Sequence, residues 1–400
     1  MHMKHSKLTF IFAVAALFAA PVAAVYAQEA KQAASKPAGE DRSYLGDYAD
    51  KKAQLAYFVN GKENPVVYKE TVGKTVVFTD ATGAELKVEP GSDTFKFVLK
   101  ADKDALNKAG AAYNKGDWES AVLYMRPIVY PIIPVAGLSQ GSFASEEYVQ
   151  IFVDSLLNVG RLNEAYAFAK ALPIDQADSS IINAAVSVAD ALVKKGQYQK
   201  ALDIVGNLEI KNASQYDASP AVIDLLSALR GAGMVKQILP IYARLGASDN
   251  PSAPQFKLWG IFCDALLGNR MTAEVSIGAV KVNKDSDAYP LLKMVQGYLK
   301  ETDPKKPDIG AALDAYAEGI VFGKVSCDCM PELLYRTGMA YKAMKSFVAS
   351  NEIFSQIASM YPESQYAKLG AKQMVKIEKK KVAEEVSHED EDDYDDEEDE

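Results

Sequence analysis

From about residue 101 onward, apolar positions return every three or four residues and no stretch alternates convincingly, so this part of the chain predicts helix after helix. Inside that rhythm a shorter pattern recurs. "GDWESAVLYM", Gly116 to Met125, places an aromatic (Trp118) two residues after a glycine, an alanine (Ala121) three further on, and a bulky residue four beyond that. "KKGQYQKALDIV" repeats it around Gly196, with Tyr198, Ala201 and Val205. "NVGRLNEAYAFA" repeats it around Gly160, with Leu162, Ala165 and Ala169, and "GAGMVKQILPIY" around Gly233, with Val235, Ile238 and Tyr242. These glycines lie 44, 36 and 37 residues apart. Two looser copies follow, "LGNRMTAEVSIG" near Asn269 and "DIGAALDAYAEG" with Ala312 and Tyr316. The last copy, "GMAYKAMKSFVASNEIFSQIASMYP", carries Gly338, Tyr341, Phe347, Phe354 and Pro362.

A period of this length is that of stacked helix pairs. Gly116 suits the left-handed residue that ends one helix. Trp118 then folds back near the start of the next, Ala121 is small where two helices cross closely, and Met125 fills the layer one turn later. Each pair leaves an apolar face that only the next pair can cover. The fold expected is mostly α: an α-solenoid of stacked helix pairs over residues 101–383. The pattern resembles the tetratricopeptide-repeat superfamily over roughly residues 105–383, the first and last units most specifically. In the last unit, "F-x-x-I-x-x-x-Y-P-x-S-x-Y-A" resembles the repeats of two bacterial envelope groups, the Tol-Pal-associated periplasmic coordinator and the outer-membrane assembly lipoprotein. No heptad coiled coil precedes the repeats, as the first group needs, and no lipid-attachment cysteine exists, as the second needs. The resemblance therefore implies an envelope setting and neither specific identity.

Ahead of the helices, residues 43–100 predict a short helix and a small β module. Tyr44, Leu45, Tyr48, Leu55, Phe58 and Val59 recur at helical spacing, and Asn60-Gly61 would end that helix. Between Pro65 and Lys100, runs of Val, Phe and Thr broken at Gly73, Gly83 and Pro90-Gly91 predict three or four short strands. So short a sheet has to pack against its neighbours. Residues 28–42 are small and polar, a flexible linker. Residues 1–27 have the pattern of a secretory signal peptide: Lys4 and Lys7, then an apolar run, then small residues at Val25 and Ala27. The expectation is export to the periplasm, with secretion as the alternative, and no integral membrane segment after cleavage.

Charge changes the picture only at one end. The chain carries a formal −10, and the 13 acids of residues 384–400, which include no Lys or Arg, supply −13 of it, leaving +3 for the rest. The acidity is a tail, expected to be disordered, solubilising, or available for docking or weak calcium capture. The body is close to neutral, and no basic stripe with interleaved aromatics marks a nucleic-acid partner.

Candidate chemistry is sparse. His2 and His5 fall in the signal and His388 in the tail, so histidine-dependent catalysis and the usual zinc sites lose their central residue. No phosphate-binding glycine loop is present, and no catalytic residue, cofactor or metal is expected. In an oxidising compartment Cys263, Cys327 and Cys329 predict one structural disulfide with one thiol left over, its pairing open. Some members of the resembled family grip a peptide carboxylate with Lys, Arg and Asn on the first helix of each pair. Here the corresponding positions hold Asp154, Asp190 and Ser227, with Leu106 and Asn107 in the first unit, so that basic clamp is missing. The groove expected tolerates a polar or basic ligand surface; a solvated face without a ligand is the alternative. The function expected is a non-enzymatic scaffold binding an envelope protein of unknown identity. A glycan-binding protein and a carboxylate-using enzyme are the alternatives, and the oligomeric state is open.

Overall fold

The computed structural model describes residues 45–48, 51–60, 62–89, 97–138 and 145–376; the signal peptide, linker and acidic tail expected at 1–27, 28–42 and 384–400 lie outside the described residues. The chain is mostly helical with one small antiparallel sheet near the N-terminal end. It divides into two compact units, Met1–Ala253 and Pro254–Glu400.

The first unit opens on the sheet, with strands β1 (Gln54–Val59), β2 (Lys62–Val72), β3 (Thr75–Asp80), β4 (Glu85–Val88) and β5 (Phe97–Leu99) in the order β4-β3-β2-β1-β5. The short helix expected before Asn60 is not formed. Gly46–Tyr48 make a single 3-10 turn, and Gln54–Val59 is a strand paired on one side with β2 and on the other with β5. Val59 pairs directly with Lys62 across a two-residue connection whose first residue, Asn60, has a φ of 51°. Asn-Gly therefore marks a tight hairpin here rather than a helix end. The two following hairpins turn at Gly73 (φ 62°) and Gly83 (φ 85°). Phe78 and Phe97 stack at 5.1 Å in the module's core with Leu55, Val66 and Val76 around them, all buried.

Helices follow in pairs: α1 (Lys103–Asn114) with α2 (Trp118–Ile132), α3 (Ser145–Asn158) with α4 (Leu162–Ala171), α5 (Ser179–Lys194) with α6 (Tyr198–Val205), and α7 (Ser219–Gly231) with α8 (Val235–Gly246). The second unit continues with α9 (Ala253–Leu266), α10 (Arg270–Gly278), α11 (Tyr289–Glu301), α12 (Ile309–Phe322), α13 (Met330–Ala343), α14 (Phe347–Met360) and α15 (Gln365–Gln373). Within the first unit α1 touches α3, α3 touches α5 and α5 touches α7; within the second, α11 touches α13 and α13 touches α15.

One turn joins most of the pairs. Gly116, Gly160, Gly196, Gly233 and Gly268 all have φ between 72° and 84°, and Lys345 occupies the same place with a φ of 66°. Each ends its helix in a Schellman motif: the residue after the glycine donates back five residues, as Asp117 does to the Ala112 carbonyl and Ser346 to that of Tyr341. The fifth residue after each left-handed position is Ala121, Ala165, Ala201, Ile238, Ala273 or Ser350, and every one is buried. Why they are mostly small is clearest in the last pair. The Ser350 hydroxyl donates to the Gly338 carbonyl at 2.8 Å, and a Cβ on Gly338 would come within 2.6 Å of the Phe354 ring. Gly297 in α11 repeats this, lying where a Cβ would meet Tyr316 at 2.2 Å. Glycine at these two sites sets the helix separation. Trp118 is half-buried, meeting Tyr113 edge to face at 5.2 Å and covering Gly116. Tyr198, Tyr341 and Phe347 are half-buried too, while Pro362 is exposed just past the end of α14.

Among the described residues one helical stretch, Trp118–Leu138, is long and apolar enough to cross a membrane, which the sequence reading did not expect. Its apolar window is 78% buried inside the structure, as in the core helix of a globular fold, so it is compatible with the absence of an integral membrane segment.

Candidate partner-binding groove

In the first unit the successive contacts of α3, α5 and α7 set their exposed stripes side by side. On α5 that stripe is Asn183, Ser187, Asp190 and Lys194, spaced three or four apart as a helix face requires. An open depression of about 450 Å³ lies between the three helices. Its polar lining is Ser187, Asp190 and Lys194 from α5 and Asp224 from α7, over an apolar base of Leu157, Val186 and Leu225.

Of the three groove positions expected from sequence, only Asp190 lines this depression, where its Oδ2 lies 2.6 Å from Lys194 Nζ. Asp154 is a tie between helices: its Oδ2 accepts from the Tyr113 hydroxyl of α1 at 3.0 Å and its Oδ1 from Gln150 Nε2 at 2.7 Å. Ser227 is half-buried, its Oγ enclosed and without a hydrogen-bond partner. The second acid is Asp224, one turn earlier on α7, which sequence reading passed over. A signal was present: Asp224 precedes Gly233 by the nine residues that separate Ser187 from Gly196.

The three cysteines do not form the expected bridge. Cys327 and Cys329 are free thiols, and Cys263, Cys327 and Cys329 are all buried. Cys263 belongs to the core face of α9, and Cys327 and Cys329 flank Asp328 in the turn before α13. Asp328 accepts from Gln255 Nε2 at 2.6 Å and from Trp259 Nε1 at 2.7 Å, so polar bonds tie this turn to α9 without a disulfide. Burial pushes the Cys329 thiol well up, with the Asp328 carboxylate adding to it, and burial raises Cys327 as well. Such thiols are poor nucleophiles.

Two clusters among the described residues set arginine against buried carboxylate. In the first unit Arg126 Nε and Nη2 donate to the two oxygens of Glu164 at 2.8 and 2.7 Å, and the Tyr130 hydroxyl donates to Glu164 Oε1 at 3.1 Å. Burial holds the Tyr130 phenol far above its ordinary value, and the neighbouring Glu164 charge adds to this. In the second unit Arg336 lies over the rings of Phe262 and Tyr298, 4.9 and 4.5 Å from their centroids. Its Nη1 donates to Glu301 at 3.2 Å and its Nη2 to Glu332 at 2.8 Å. Burial pushes the Glu301 carboxyl up and Arg336 pulls it back. The Tyr316 hydroxyl lies close to Glu301 but makes no hydrogen bond of ordinary geometry. Each cluster sets arginine against carboxylate in a closed interior and ties helices together. Among the described residues no group of three or more His, Cys, Asp and Glu could hold a metal ion.

The chain matches no protein-family model and no curated protein.

Proposed function

We propose that this protein is a non-enzymatic interaction scaffold, a tetratricopeptide-like α-solenoid exported to the bacterial envelope, which holds a partner protein along the exposed stripes of α3, α5 and α7. The observation that carries the reading is the depression with Asp190 and Asp224 on adjacent helices. Two carboxylates against one ammonium, Lys194 paired with Asp190, leave an acidic excess beside a hydroxyl and an apolar base, which suits a partner that presents lysine or arginine next to an aliphatic side chain. The solenoid reading is supported by the six left-handed turns in one register and by the contacts between alternate helices. Of the aromatics that a glycan binder could use, Trp259, Tyr242 and Tyr316 are fully buried and so are withdrawn from any surface platform.

The test is crosslinking in the native envelope with the full chain, comparing wild type with Asp190→Lys combined with Asp224→Lys. The scaffold reading expects a discrete crosslinked protein whose yield falls in the double variant and in high salt. A partner captured equally by both would place binding elsewhere. Retention on purified cell-wall glycan with no crosslinked protein would favour the polysaccharide reading instead.

A further inference from the structure

A second depression in the first unit shares no residue with the groove. It lies where the ends of β1 and β5 meet α1 and α2, and encloses about 420 Å³. One wall is unusual. Pro127 and Pro131 both stand inside α2, four residues apart and therefore on one face, and both line the depression. A proline in a helix interior removes a backbone hydrogen bond and crowds the preceding turn, so two in one helix are unusual. Here the two proline rings, which have no side-chain freedom to lose when a ligand is laid against them, stand with Ile128 and Leu99 as an apolar wall.

The mouth is cationic. Lys51 and Lys52 both line it and both are exposed. Lys51 Nζ lies 5.0 Å from the centroid of the Tyr48 ring, and Lys52 Nζ donates to the Lys69 carbonyl at 3.3 Å. Neither partner carries charge, so neither ammonium is neutralised by an acid among the described residues. The other charges at the rim are spoken for. Lys100 pairs with Glu63, and Asp102 caps α1 by accepting from the backbone N–H groups of Asp104 at 2.9 Å and Ala105 at 3.3 Å. A concavity of this size with one apolar wall and convergent polar groups at its rim can hold a small amphiphilic ligand.

We propose that this depression binds a medium-chain carboxylate amphiphile, its anionic head between Lys51 and Lys52 and its aliphatic body on Pro127, Ile128 and Pro131. Both halves of the site are needed: the lysines alone would take any anion, and the wall alone any alkyl chain.

Isothermal titration of the full chain with octanoate, octylammonium and hexaglutamate tests this below any micelle-forming concentration. Octanoate binds saturably with one site, and the other two do not. Lys51→Glu with Lys52→Glu, and separately Ala105→Leu to fill the cavity, each weaken octanoate binding by roughly tenfold or more. Asp190→Lys with Asp224→Lys leaves it unchanged, which keeps this site distinct from the groove. Absence of saturable octanoate binding, equal binding of octylammonium, binding of hexaglutamate alone, or octanoate affinity kept by folded Lys51/Lys52 and Ala105 variants would each overturn the proposal. Should a variant lose its far-ultraviolet circular dichroism, the three-ligand comparison on wild type still decides.

Discussion

Lys345 is the residue at which the repeat geometry can be tested most sharply. It stands where the other pairs have glycine, with a φ of 66°, and its side chain is exposed, so a substitution there disturbs little beyond the backbone. A left-handed residue with a Cβ costs roughly 1–2 kcal/mol, whereas glycine returns roughly 0.5–1 kcal/mol of that through its larger unfolded-state entropy. Lys345→Gly should therefore stabilise the second unit by about 0.5–1 kcal/mol, which is about 2–4 °C in melting temperature for a unit of this size. Lys345→Ala keeps the Cβ and should change nothing comparable. Gly160→Ala is the mirror experiment: φ is 77° and no atom lies within 4 Å of the added Cβ, so its cost, about 1 kcal/mol, is conformational alone. The two tryptophans, Trp118 and Trp259, fall one in each unit. Urea unfolding followed by fluorescence in a Trp118→Phe background thus reads the second unit, and in a Trp259→Phe background the first. The expected result is a raised midpoint for Lys345→Gly at unchanged slope. Equal stabilisation by alanine and glycine at 345, or no loss from Gly160→Ala, would refute the claim that a left-handed turn in this register organises the helix pairs.

Two further predictions follow from the charged groups. Glu164→Gln should leave Arg126 buried against a neutral partner and cost about 3 kcal/mol or more in urea unfolding, while Arg126→Met with Glu164→Leu should come close to wild type. Glu318 is held down to about 2 by hydrogen bonds from Lys293 and Tyr289 and by the Lys293 charge. Because that folded value lies below the ordinary 4.5, its contribution is present above pH 4.5 and is lost as pH falls towards 2. The difference in midpoint between wild type and Glu318→Gln should shrink over that interval, and a difference that persists to pH 2 would contradict the assignment.

What could be read in the sequence, and what could not, divides along physical lines. The turns between helices were legible because their cause is local: one residue free to take a left-handed φ, followed five positions later by a residue that must fit a close crossing. Gly116 with Ala121, Gly160 with Ala165 and Gly196 with Ala201 carry that instruction within a single segment, and so did the hairpins at Gly73 and Gly83. Lys345 hid its turn because tertiary packing imposes on a lysine a conformation it does not favour by itself. Strand β1 was misread for a related reason. Its six residues have apolar positions compatible with either period, and pairing with β2 and β5, distant in sequence, decides between them. The groove shows the same limit: helical spacing nominated Asp154, Asp190 and Ser227, but only the stacking of α3, α5 and α7 decides that Asp190 and Asp224 share a depression while Asp154 is used up on Tyr113. Local conformational preference is written in neighbouring residues; which side chains meet depends on how separate elements pack, and that belongs to the folded chain alone.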